Sequence, residues 1–128
     1  MTTRVLLDSL ARLTHELDEL ISRHPELPRL VRIGVDLAGY IEHYPHGEVQ
    51  LAADATPACL LAWLRVLGAT SGERLDGAPV AIAEGAVGDL PTTLVSPLGW
   101  SLARELGRRW TVDQLRELID APSSGGAR

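Results

Sequence analysis

The chain contains no lysine, no asparagine and no phenylalanine, and it has one cysteine and one methionine among 128 residues. Missing lysine excludes a phosphate-loop lysine, a Schiff-base amine and a Ser–Lys pair, because a guanidinium cannot replace an amine in any of them. Missing asparagine excludes N-glycosylation, a Cys–His–Asn triad and the usual adenine-reading amide, leaving Gln50 and Gln114 as the side-chain carboxamides. A lone Cys59 rules out an internal disulfide and a multi-cysteine zinc site, and is compatible with a reducing interior. Positive charge is short as well: 12 Arg against 17 Asp and Glu give a formal charge of −5. That balance does not support a nonspecific grip on nucleic acid or an anionic membrane. The longest apolar run, Ala58 to Leu64, falls far short of the roughly 20 residues a membrane span needs. No basic stretch followed by a long apolar run opens the chain, since Arg4 is followed only by Val5, Leu6 and Leu7 before Asp8. The expectation is a soluble, cytoplasmic protein with no membrane partner.

What is present is patterned. Length places residues 1–121 in one domain, with a polar tail from Pro122 to Arg128. Leu6, Leu10, Leu13, Leu17 and Leu20 recur at spacings of four and three, which predicts a helix with one leucine stripe, ended at His24-Pro25. About two heptads are too few for a coiled coil, so the stripe reads as a helix lying on a sheet. Asp8–Arg12 and Glu19–Arg23 are candidate i,i+4 pairs on its wet face. The period then changes to two. Val31, Ile33, Val35 and Leu37 alternate with Arg32, Gly34 and Asp36, a half-buried strand, and Val49 and Leu51 alternate again after a turn at Tyr44-Pro45-His46-Gly47. Thr56-Pro57 opens a second helix as cap and first position, running to Gly68. Residues 68–79 read as a loop. Val80 to Val87 and Thr92 to Val95 form a second hairpin around Gly88-Asp89. Ser96-Pro97 reads as the start of a third helix, and Thr111 with Gln114 as a capping box for a fourth. The expected fold is α+β: about four antiparallel strands as two hairpins, helices on one face, in the order α-β-β-α-β-β-α-α.

The turns carry a resemblance. His24-Pro25-Glu26-Leu27-Pro28 after the leucine helix, a hairpin, a Trp-containing helix ending Leu67-Gly68, and Val87-Gly88-Asp89-Leu90-Pro91 between two strands are similar to a group of uncharacterised short proteins. That group occurs in high-GC bacteria, their phages and mobile elements, and arginine use without lysine suits a GC-rich genome. The likeness spans roughly residues 5 to 96, marks turns and not chemistry, and implies an α+β fold with no activity to carry over.

Candidate chemistry is sparse. His43, Tyr44, His46 and Glu48 cluster about the first turn, but a turn does not fix ligand directions and no third protein ligand is evident, so no metal or other cofactor is expected. His15 and His24 read as a solvated and a helix-end histidine, Glu42 and Glu48 as exposed strand acids. Cys59 has apolar sequence neighbours and reads as a buried, inert thiol. No Gly-x-Ser-x-Gly, His-Glu-x-x-His or Gly-x-Gly-x-x-Gly occurs, and an enzyme is not expected. Two features suggest a partner instead. The helix 57–67 is apolar nearly all round, with Arg65 its only charge, so Trp63 is either a core or an interface aromatic. The last two helices resemble a helix-turn-helix, with Arg104, Arg108 and Arg109 placed to meet phosphates. The second of them is the wrong sign, however, with Asp113, Glu117 and Asp120 against Arg116. The leading expectation is therefore a non-enzymatic module that binds a protein, a second copy of the chain included, with DNA association as the alternative.

Overall fold

Strand alternation decides which side of this molecule carries the core. The computed structural model describes residues 2–38, 44–75 and 77–120. Its elements are α1 (Thr2–Arg23), β1 (Leu30–Ala38), β2 (Tyr44–Leu51), α2 (Pro57–Leu67), β3 (Ser71–Arg74), β4 (Val80–Val87), β5 (Leu90–Pro97), α3 (Trp100–Glu105), β6 (Arg109–Thr111) and α4 (Val112–Asp120). One six-stranded sheet runs in the order β1-β2-β5-β4-β3-β6. Val49 and Leu51 on β2, Leu90 and Leu94 on β5, and Ala81, Ala83 and Val87 on β4 all point to one face. There they meet Leu13 and Leu17 of α1, Leu60, Trp63, Leu64 and Leu67 of α2, and Leu115 of α4 in a single buried cluster. The chain is α+β with its helices on one face, as the patterning predicts. Among the described residues, no helix covers the opposite face.

Several helix boundaries form by the local chemistry expected. The Thr56 side chain accepts from the Cys59 amide, Pro57 takes the first turn, and Gly68 closes α2 at φ 71° in the left-handed region that glycine enters without strain. Thr111 and Gln114 exchange reciprocal bonds of 2.8 and 3.1 Å ahead of α4, the capping box. The leucine stripe of α1 lies on the sheet, against β1, β2 and β4. Arg12, expected to pair with Asp8, reaches instead to Asp89 in the β4–β5 turn at 3.7 Å, while Asp8 pairs with Arg4 at 3.6 Å.

The sheet departs from expectation in four places. It has six strands and is mixed, because the two expected hairpins are joined through a parallel β2–β5 contact running from Gly47↔Thr92 to Gln50↔Val95. The expected loop 68–79 contains β3, held between β4 and β6. Tyr44 to Gly47 are not a turn but the first half of β2: Pro45 is tolerated there because the β5 pairing starts only at Gly47, so no ladder bond is lost on that side. Ser96 and Pro97 end β5 and do not start a helix; Ser96 points into the core, its hydroxyl on the Pro97 carbonyl at 3.0 Å, and α3 begins at Trp100. The tail expected from Pro122 lies outside the described residues.

Candidate functional site

Trp63 belongs to the core. It is fully buried and its indole N–H donates to the Pro28 carbonyl at 2.8 Å, tying α2 to the segment entering β1, so it has no surface to offer a partner. Arg65, two residues along α2, is exposed. The arginines of the C-terminal segment do not form a helix-turn-helix. Between α3 and α4 lies β6, paired with β3 from Ser71↔Thr111 to Glu73↔Arg109, and α4 packs on α2. Arg104 sits on α3, Arg108 precedes the strand and Arg109 begins it, all three exposed. A six-residue helix followed by an edge strand has neither the turn nor the crossing of a recognition motif. That corrects the geometric basis of the DNA alternative.

His46 and Glu48 point to the helix-free face from β2, and His43 and Glu42 lie outside the described residues. The imidazole Nε2 of His46 is 2.6 Å from the Thr93 hydroxyl, which in turn lies 2.9 and 3.1 Å from the two carboxylate oxygens of Glu84. Arg32 meets Glu48 at 3.1 Å on the same face. The first three form a His–Thr–Glu row across β2, β5 and β4. The hydroxyl has one hydrogen; donating it to Glu84 leaves the oxygen to accept from His46. The proton then lies toward the Glu84 carboxylate, which also stands 3.5 Å from the His46 imidazole. The row ties three neighbouring strands together through their side chains. Among the described residues, no group of three His, Cys, Asp or Glu is placed to hold a metal ion.

Further along that face, an open cleft of about 710 Å³ runs beside the β3–β6 edge, with Glu73, Glu84 and Arg109 as its charged lining. Trp110 is enclosed next to it on the core side, over Gly72, and its Nε1 has no hydrogen-bond partner among the described residues. Cys59 is half-buried and not fully enclosed, with the Thr56 hydroxyl 3.2 Å from its sulfur.

The most distinctive surface is one that motif reading passes over. Val31 and Ile33 of β1 remain 54% and 42% exposed, and Leu7 and Ile21 of α1 are 50% and 42% exposed, with Leu10 beside them. Ile33 is in register with the fully buried Val49, so it faces the helix side and α1 does not cover it. At about 100° per residue, Leu7, Leu10 and Ile21 fall on one flank of α1, opposite Arg12 and Glu16. The latter flank meets the β4–β5 turn: Arg12 bonds Asp89, and Glu16 lies against Gly88. Leu7, Leu10 and Ile21 therefore look toward the β1 side of the sheet. Together with Val31 and Ile33 they make an apolar band along that margin. β1 is nine residues long and, among the described residues, has β2 as its one strand neighbour. The sequence did hold a signal, since Leu7 and Ile21 stand off the leucine stripe.

No helix among the described residues is long and apolar enough to cross a membrane. Comparison with protein-family models, with curated proteins and with solved structures finds no match to the chain.

Proposed function

We propose that the protein is a non-enzymatic, cytoplasmic interaction module that works as a homodimer. The observation that carries this reading is the band of Leu7, Leu10, Ile21, Val31 and Ile33 alongside a nine-residue edge strand. A long apolar edge is a template for pairing, and single chains usually blunt it with Lys, Pro or a covering segment. β1 has neither Lys nor Pro, its charges are Arg32 and Asp36 with a register shift between Leu30 and Arg32, and no strand covers its outer side among the described residues. A contiguous patch of this kind marks a protein contact more often than a scatter of single exposed leucines does. The resemblance of the turn motifs to short proteins of phages and mobile elements supports an accessory role, acting through contact and not through chemistry.

Sedimentation velocity across a wide concentration range tests the reading. Dimer is expected for the native chain, and Ile33→Glu, at a position already solvent-facing, is expected to give a folded monomer. A native chain that stays monomeric into the hundreds of micromolar overturns it.

A further inference from the structure

β1 matches itself. Arg32, Gly34 and Asp36 share the helix-free face, where they stand opposite Gln50, Glu48 and His46 of β2, and Ile33 and Val35 share the other. Placed antiparallel about a two-fold axis through Gly34, a second β1 sets Arg32 opposite the partner's Asp36 and Ile33 opposite the partner's Val35. Every contact then occurs twice, as an isologous interface requires. Neighbouring registers lose this. An axis at Arg32 or Asp36 sets like charges against each other, an axis at Ile33 or Val35 leaves both charges without an opposite, and an axis between residues turns apolar side chains toward polar ones.

We infer that the dimer forms by antiparallel pairing of β1 with β1 of a second copy about Gly34, extending the six-stranded sheet to twelve strands. The inference rests on the homodimer reading above and specifies its geometry.

Three independent observations agree on it. A Cβ built at Gly34 meets nothing within 4 Å, so packing within one chain gives no reason for glycine there. Glycine inside a strand costs stability and often marks a place where another backbone comes close, which the axis supplies. Asp36 makes no ion pair among the described residues, whereas Arg32, with five donors in a planar fork, can serve Glu48 on its own sheet and a second carboxylate across the seam. The flank of α1 carrying Leu7, Leu10 and Ile21 looks toward β1, so two copies would bring these flanks together above Ile33.

A charge-swap pair tests the register. Arg32→Asp alone faces the partner's Asp36, and Asp36→Arg alone faces the partner's Arg32, so each variant is expected to be monomeric where the native chain is dimeric. Mixed one to one, the two variants restore both opposite pairs and are expected to sediment as a heterodimer. Circular dichroism of each variant checks that it remains folded. A second measurement mixes Arg32→Cys with Asp36→Cys, each in a Cys59→Ser background. A short bis-maleimide should link the two into a heterodimer, because residue 32 faces the partner's residue 36, while Arg65→Cys in the same background should stay unlinked. If the native chain dimerises but the single swaps do so equally, the charge-swap mixture stays monomeric, or the cysteine pair fails to link, the β1 register is overturned and the homodimer reading stands. If the native chain is monomeric throughout, both fall.

Discussion

Gly72 offers the sharpest test of how the second edge of the sheet is held. It lies opposite Trp110 in the β3–β6 pairing, and the indole rests on the space where a side chain would be. A Cβ at Gly72 would stand 2.3 and 2.6 Å from two carbons of that ring and 2.7 Å from the Ile82 carbonyl oxygen. Replacing a strand glycine with alanine normally stabilises by about 0.4–1 kcal/mol through the unfolded chain. Here the ring must move by more than an ångström from a fully enclosed site, and overpacking of that kind costs about 1–3 kcal/mol. The backbone oxygen on the other side blocks the easy escape. The net expectation for Gly72→Ala is destabilisation by about 2 kcal/mol, which at an unfolding entropy of roughly 0.27 kcal/mol/K for a chain this long lowers Tm by about 7 °C. Urea and thermal unfolding would measure it, with red-shifted tryptophan emission reporting the displaced ring. Gly34→Ala, made in the monomeric Ile33→Glu chain, is the matched control: with open space around it inside one chain, the same substitution is expected to be neutral or stabilising by up to about 1 kcal/mol. Equal effects at the two glycines, or a Gly72→Ala change within about 0.5 kcal/mol of zero, would refute the packing argument.

The two enclosed indoles should respond differently to loss of their N–H. Trp63→Phe removes a made bond to the Pro28 carbonyl, whereas Trp110→Phe removes a donor without a partner among the described residues, so chemical denaturation should find the first costlier by about 1–3 kcal/mol. Thr56→Ala deletes the α2 cap and should cost about 1 kcal/mol in the same assay, with the serine variant close to native. Asp89→Ala breaks the contact with Arg12, but the two side chains are 86% and 58% exposed, so the stability change should stay below about 0.5 kcal/mol at physiological salt.

How much was legible in the sequence depended on whether an element is specified locally. The α1 stripe, the Thr56-Pro57 start of α2, its Gly68 stop and the Thr111–Gln114 box are each set by residues within a turn or two, and all are present. The first hairpin was readable because β1 and β2 alternate, and the second from its Gly88-Asp89 turn, since Ala and Gly blur the period in β4 and β5. β3 and β6 were not: Ser71–Arg74 and Arg109–Thr111 have four and three residues, too few for any period, and they are strands because β4 and Gly72's neighbour Trp110 hold them. The parallel β2–β5 contact was hidden for another reason, since alternation says which face is inside but not which strand lies alongside. The candidate site fared less well. Trp63 was a choice between core and interface that only packing could settle, and the β1 margin is visible only once α1 is known to leave Ile33 uncovered.

The parallel contact between β2 and β5 has a kinetic side. Each hairpin closes a short stretch of chain, but joining Gly47 to Thr92 requires α2, β3 and β4 to be gathered between them. Loop closure of that length must be met before the contacts it brings can compensate, and such non-local pairing is what slows folding. Until that seam forms, β2 and β5 each present an unsatisfied inner edge beside the apolar face of their own hairpin. The interval between hairpin formation and seam closure is therefore when this chain is most exposed to wrong strand pairing, and closure of the junction between the two hairpins is the expected slow step of folding.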